Sequence, residues 1–384
     1  MVKSIMLILF LLSASIAVAQ PTIVEEDPCG AYIPDFMNSL LKAGYGYSYA
    51  DLQNDIDTWQ KDEFVKIDSI GASVQNRTIY MLSITDSKTN EKEFRIWIHA
   101  RTHPNEVQST FVTNEIIEYL LSDDEYITTL REKCIINIVP MINPDGVELG
   151  YGRENANQVN IESNWSSASP EIEVQVLKRV LDSLMKTSTP IDIALNMHSA
   201  SNCKRYFVYH AEAGTSAKYV DMQKKFINHV KSEWTNGIED WNYFVSWTST
   251  TPTQYPESWF WLNHAEKVLA LTYEDMNCAE AKDFDMTAQV IVNGIGRYFE
   301  LLPPYIISSN FEKTEIPYKI TTNGSLLTIN GNGKVVSTEL YTTQGIRVDS
   351  KKGEYLEFTI NRKGLYILNI NVENSASQVK IIIR

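Results

Sequence analysis

Apolar residues recur at two spacings between residues 49 and 302. Over 49–64 they fall three and four apart, which predicts a helix. Segments 65–69 and 78–84 alternate around Gly71-Ala72-Ser73 and Gln75-Asn76-Arg77, the pattern of a hairpin with a longer turn. Segment 94–98 is β-like, and 107–121 after it is helical. Segments 134–141, 191–197 and 268–273 are nearly continuous apolar runs, as expected of strands covered on both faces. Segments 170–185, 219–234 and 286–302 have helical periodicity, 205–210 reads as a short strand and 256–264 as a helical turn. Asn143-Pro144-Asp145-Gly146 reads as a turn. Strands alternating with helices predict an α/β fold: a doubly wound, mostly parallel (mixed) sheet with helices on both faces.

The pattern changes after Leu302-Pro303-Pro304. Segments 326–329, 334–341, 355–360, 364–370 and 378–383 read as short strands, with turns at Asn330-Gly331-Asn332-Gly333, Gln344-Gly345 and Lys351-Lys352-Gly353. They predict a small all-β sandwich domain over 320–384, joined by a linker over 306–319 to a larger domain over 20–305. At the other end, Lys3, the apolar run 5–12 and Ala17-Val18-Ala19 form a signal peptide over 1–19, so the expected location is secreted or cell-surface. The run is too short to span a bilayer, and no later stretch supplies a transmembrane segment.

The composition of the 384 residues, 43% hydrophobic and 21% charged, is that of an ordinary globular chain. A net charge of −14 argues against a nucleic-acid partner, whose phosphates require clustered Lys and Arg. The cysteines are Cys29, Cys134, Cys203 and Cys278, and an exported chain permits disulfides in any of three pairings. Cys203 and Cys278 each lie a few residues beyond a candidate site residue, which makes a bridge between them one of these.

Candidate chemistry starts at Ile98-His99-Ala100-Arg101-Thr102-His103-Pro104-Asn105-Glu106. This stretch lies between a predicted strand and a predicted helix, where open α/β sheets place their ligands. His103 and Glu106, three apart on a first helical turn, share a face and can reach one ion. A catalytic zinc takes three protein ligands of this kind, and His198, at the end of the 191–197 strand, supplies the third. Glu274 ends another strand and can serve as general base on a metal-activated water. Arg153, in the loop after residues 143–146, can meet a developing oxyanion.

Four motifs in this order, H-P-N-E at 103–106, N-P-D-G at 143–146, N-M-H-S at 196–199 and L-T-Y-E at 271–274, resemble the zinc carboxypeptidase family (carboxypeptidase A-like), over roughly residues 45–302. The resemblance implies one Zn2+ on His103, Glu106 and His198, Arg153 polarising the oxyanion, Glu274 as base, and hydrolysis of a peptide substrate. The H-P-x-E form is closer to the cytosolic carboxypeptidase-like branch than to the digestive enzymes, whose motif reads H-A-R-E. His99-Ala100-Arg101 imitates the latter but ends in Thr102, so His99 reads as a structural histidine. One departure matters. Where the family has an Asn-Arg pair for the substrate's terminal carboxylate, this chain has Glu162-Ser163. Either Glu162 favours an amino or other cationic group, or another residue such as Arg101 or Lys204 supplies the cation. Tyr255 is the nearest candidate for the family's mobile tyrosine. Glu162, Ser163 and Tyr255 are thus the substrate-binding candidates. The C-terminal pattern, with Lys363-Gly364-Leu365-Tyr366-Ile367-Leu368 before a basic-apolar end, resembles the sorting domain of type IX secretion cargo, which implies the secretion machinery as partner; the alternative is the transthyretin-like β domain that follows some carboxypeptidases. Two other readings remain: a murein-peptide or other amidohydrolase on the same fold, and a catalytically inactive secreted peptide-binding protein.

Overall fold

The computed structural model describes residues 46–88 and 92–302, and of the C-terminal region 319–323, 325–331, 334, 336–342, 347–360, 364–372 and 375–383. The expected signal peptide and nearly all of the expected linker lie outside the described residues. The hairpin is β1 (Val65–Ala72) with β2 (Thr78–Ile84). With β3 (Phe94–Ala100), β4 (Cys134–Val139), β5 (Ile193–Ala200), β6 (Tyr206–His210), β7 (Phe244–Ser246) and β8 (Leu269–Met276), it forms an eight-stranded mixed sheet ordered β1-β2-β4-β3-β5-β8-β6-β7. The four central strands, β4, β3, β5 and β8, run parallel. All eight residues of β5 are buried, so its apolar residues do not alternate with solvent-facing polar ones, and its polar residues Asn196, His198 and Ser199 are buried with the rest.

Alternate residues of the central strands feed two cores, one on each face. Ile96, Ile98, Leu195, Met197 and Leu271 pack with the helices α2 (Val107–Leu120), α6 (Ala217–Glu233) and α8 (Phe284–Tyr298). Trp97, Ala194 and Ala270 pack with α5 (Ile172–Leu184) and α7 (Pro256–His264). The remaining helices are α1 (Tyr49–Trp59), α3 (Glu125–Lys133) and α4 (Pro144–Leu149).

Several expectations are corrected. The first helix stops at Trp59, not residue 64. The Asn-Pro-Asp-Gly segment is no simple turn: it opens α4, with Pro144 in its first turn and Asn143 Oδ1 accepting from Gly146 N at 3.0 Å. Lys351-Lys352-Gly353 lies inside a strand, β12 (Arg347–Gly353), which the pattern missed because this strand edges its sheet and carries exposed charge instead of apolar alternation. The C-terminal strands β9 (Lys319–Asn323), β10 (Leu326–Asn330), β11 (Val336–Thr342), β12, β13 (Tyr355–Thr359), β14 (Gly364–Val372) and β15 (Ser375–Ile383) form sheets ordered β13-β10-β9 and β12-β11-β14-β15. Leu327, Ile329 and Phe358 of one sheet and Leu340, Leu368 and Ile370 of the other share one core, as in a sandwich.

Cys203 and Cys278 are disulfide-bonded and Cys134 is free and buried. The bridge ties the segment after β5 to the segment after β8 across a sequence separation of 75. Closing so long a loop restricts the unfolded chain. The double variant Cys203→Ser/Cys278→Ser is therefore expected to lose about 2–4 kcal/mol of unfolding free energy, read by denaturant titration. An unchanged midpoint would show that the bridge does not constrain the unfolded ensemble.

At the end of β3, Trp97 Nε1 donates to His99 Nδ1 at 3.0 Å, so the imidazole proton sits on Nε2, which is buried without a partner. Burial pushes the His99 pKa down to about 4. A histidine that stays neutral when folded but takes a proton near pH 6.5 when unfolded contributes stability that is complete at neutral pH. That contribution is lost as pH falls from about 6.5 towards 4, a swing of about 3 kcal/mol. In chelator-treated protein, His99→Gln is expected to flatten this acid limb by about one proton in unfolding titrations at stepped pH; an unaltered slope would remove His99 as the cause.

Candidate metal centre

The loop between β3 and α2 is pinned from inside. Arg101 takes a left-handed backbone conformation (φ 58°) and is fully buried. Its Nε donates to Pro104 O at 2.7 Å, its Nη1 to Thr110 Oγ1 at 2.8 Å and its Nη2 to Tyr47 O at 3.4 Å. From outside, Asn143 Nδ2 donates to Thr102 O and to Glu154 O, each at 3.1 Å. Gly146 packs beside both neighbours: a Cβ there would lie 2.5 Å from Pro104 Cγ and 2.4 Å from Glu154 O. The Asn-Pro-Asp-Gly motif thus clamps the 101–106 loop to the loop carrying Arg153.

This clamp sets His103 in the loop and Glu106 at the N-cap of α2, not both on its first turn as the spacing predicts. Glu106 makes no side-chain capping bond. Instead its Oε1 lies 2.6 Å from His103 Nδ1 and its Oε2 lies 2.7 Å from His198 Nδ1. Ser199 N also donates to Oε2, at 3.2 Å. His198 arrives on β5, beside Glu274 in the register of β5 with β8. One donor atom from each of His103, Glu106 and His198 lies within 4.8 Å of the others. Two imidazole nitrogens and a carboxylate, all buried and turned towards one point, fit a zinc ion.

The outer nitrogens meet a short turn. Asn160, at the N-cap of the 3₁₀ turn Ile161–Ser163, places Oδ1 3.2 Å from His103 Nε2. Glu162 Oε2 lies 3.3 Å from His198 Nε2, off the ideal hydrogen-bond line. Asn196 Nδ2 reaches Glu162 Oε1 and Oε2 at 3.1 and 3.3 Å, and Glu257 Oε1 at 3.0 Å. Thr272 Oγ1 donates to Glu257 Oε1 at 2.8 Å.

The charges sort by partner. Burial opposes ionisation of Glu106, but His103 and His198 outweigh it and hold its carboxyl well below the usual range. Burial would lower His198; Glu106 and Glu162 raise it well above an ordinary histidine. Glu162 is likewise lowered, His198 overcoming burial. Glu274 is pushed up to about 8, by burial first, with His198 opposing and Glu106 and Glu162 adding to the rise. Its Oε2 is buried without a hydrogen-bond partner. Glu257 is pushed up to about 7 by burial and by Glu162.

Of the other sequence-predicted residues, Arg153 places Nη1 3.8 Å from Glu106 Oε1 and keeps a quarter of its side chain exposed. Ser163 is exposed, its Oγ donating to Asn160 O at 3.4 Å. Tyr255 stands half-buried at the N-cap of α7, two residues before Glu257. Neither substitute cation faces the cluster freely: Arg101 is consumed by its loop, and Lys204 pairs with Glu239 at 2.6 Å on the surface. Sequence reading missed Asn160, Asn196 and Glu257. Asn196 alone had a signal, two residues before His198 and so on the same strand face.

A family profile described as zinc carboxypeptidase matches residues 55–309. Cytosolic carboxypeptidase 6 of Homo sapiens is 30% identical over 174 residues, covering 43% of this chain and 34% of that protein. Cytosolic carboxypeptidase 2 of Xenopus tropicalis is 30% identical over 179 residues, covering 43% and 18%. The chain spans about a third or less of the length of these relatives. Among solved structures, a metallo-carboxypeptidase from Burkholderia cenocepacia matches with a TM-score of 0.58 at 17% identity, covering 66% of this chain and 70% of that one. The carboxypeptidase A from Helicoverpa armigera matches with a TM-score of 0.53 at 16% identity, covering 69% and 78%. At those identities the likeness is one of fold. With the profile matched over well more than half of its length, the chain belongs to the zinc carboxypeptidase family, whose members use one Zn2+ ion.

Proposed function

We propose that the chain is a zinc-dependent peptidase that hydrolyses an amide bond near one end of a peptide, with His103, Glu106 and His198 holding the ion. The observation that carries this reading is the approach of both imidazole Nδ1 atoms to the two oxygens of one buried carboxylate, at 2.6 and 2.7 Å. When bound, zinc supplies Lewis acidity: it polarises a carbonyl and makes water a better acid. Glu274 lies across from His198 on β8 with one oxygen free. It takes the proton of the attacking water and hands it to the leaving nitrogen. Arg153, partly exposed beside Glu106, faces the developing oxyanion.

A changed terminus recognition has its own support. The turn 160–163 carries no cation, Glu162 is directed inward, and Arg101 and Lys204 are engaged elsewhere. A murein-peptide or other amidohydrolase on this fold is the reading it favours over strict trimming of free C-termini.

Export is also proposed. The leader-like residues 1–19 motivate it, and the Cys203–Cys278 bridge suits an oxidising compartment. The C-terminal strands would then serve as a sorting module addressed to a type IX secretion machinery.

Glu274→Gln is expected to retain stoichiometric zinc and to lose peptide hydrolysis by about 10²–10⁴-fold, and a chelator should abolish wild-type activity. The readout is mass spectrometry of a peptide library with free and amidated C-termini; full activity of Glu274→Gln would remove the assigned base, and cleavage confined to free termini would remove the second reading. For export, expression in a host with the matching secretion system should give a mature N-terminus at Gln20. An intact Met1 on active protein would contradict it.

A further inference from the structure

The turn 160–163 serves both imidazoles. His103 and His198 each direct Nδ1 at Glu106, and each presents Nε2 to this turn: His103 to Asn160 Oδ1 at 3.2 Å, His198 to Glu162 Oε2 at 3.3 Å. Glu162 is 8% exposed, and both of its oxygens are held by Asn196 Nδ2 at 3.1 and 3.3 Å. Asn196 lies two residues before His198 on β5, and so on the same face of the strand. One strand therefore fixes both the imidazole and the carboxylate that meets its outer nitrogen.

An imidazole that donates its Nδ1 lone pair to a metal carries its proton on Nε2. An acceptor at Nε2 selects that tautomer, fixes the ring plane and makes Nδ1 a stronger donor, and a carboxylate does so more strongly than an amide. Resting on the metal-centre reading above, we propose that Glu162 is a positioning residue for His198, and not a recognition group for a cationic substrate. Its carboxylate is spent inside the protein, on His198 and Asn196. The neighbouring Asn160 does the same for His103 with an amide oxygen. Glu162, one of the two residues that depart from the family pattern, thus supports the site in place of gripping the substrate's end.

The test uses full-length wild type, Glu162→Gln and Glu162→Ala. Zinc affinity is measured by competition with a chromophoric chelator, the His198 ring nitrogens are followed by 15N NMR in the zinc-loaded protein, and kcat and KM are measured on peptides with cationic and neutral ends. Glu162→Gln, close to isosteric and still able to accept, is expected to weaken zinc binding by about tenfold and Glu162→Ala by up to about 100-fold. The His198 Nε2 resonance should shift in both, with KM moving equally for cationic and neutral peptides. If Glu162→Gln binds zinc as wild type does, or raises KM for cationic peptides alone, the inference is overturned while the metal-centre reading stands. A wild-type protein that takes up no zinc overturns that reading and this inference with it.

Discussion

Burying the charge of Glu106 is the constraint on which the site depends. The residue is wholly inaccessible, and an ionised carboxylate in such a place costs several kcal/mol unless its oxygens are satisfied. Its satisfaction is drawn from two places in the chain: His103 in its own loop, and His198 with the Ser199 amide on β5. Its position at the start of α2 adds the favourable end of a helix dipole. His103 is local, but the two partners on β5 would not survive a shift of that strand against β3. A register slip of one residue in β5 would turn His198 to the opposite face and leave Glu106 Oε2 without its imidazole.

The sheet makes that arrangement rigid. β3, β5 and β8 are neighbours and run parallel, so the loop after β3 and the ends of β5 and β8 open on the same edge. In register, His99, Asn196 and Thr272 form one row across these strands, and His198 with Glu274 the next row on the same face. The first row carries the polar floor that orients Glu162 and Glu257. The second carries one imidazole of the proposed metal site and the proposed base. Dense apolar packing on both sides of the sheet keeps the rows from moving apart.

How much of this was legible follows from what kind of information each part needs. The central strands were visible because burial on both faces writes a continuous apolar run, and His198 and Glu274 followed as the polar residues at which such runs stop. β7 and β12 were not visible: one is three residues long and the other is a charged edge. α3 was missed because it is nine residues long with little apolar content, and only its Asp124 cap marks its start. In the site, the His103–Glu106 spacing pointed to a shared ion, yet the loop geometry behind it depends on Arg101, whose buried guanidinium no spacing announces. Glu257 is reached through Asn196 and Thr272, contacts set by the pairing of β5 with β8 and by the placement of α7, which are tertiary facts.

The carboxylates around this edge divide into two kinds, and the division is itself a physical argument for a cation. Glu106 and Glu162 each touch His198, and both are held ionised despite burial. Glu274 and Glu257 have no imidazole within hydrogen-bond reach, and burial together with the charge of their neighbours pushes them towards neutrality, to about 8 and about 7. Four buried carboxyl groups gathered at one edge oppose one another's ionisation. A divalent ion held by His103, Glu106 and His198 would change that balance. With such an ion bound, Glu106 would be neutralised without a charged histidine, His198 would no longer need a proton, and Glu274 would be favoured in its charged form, the form its proposed role requires. Glu162 would then face a neutral ring that still offers it an N–H. The arrangement of these residues fits the proposed state, in which the positive charge would sit at the centre with the histidines as neutral donors around it.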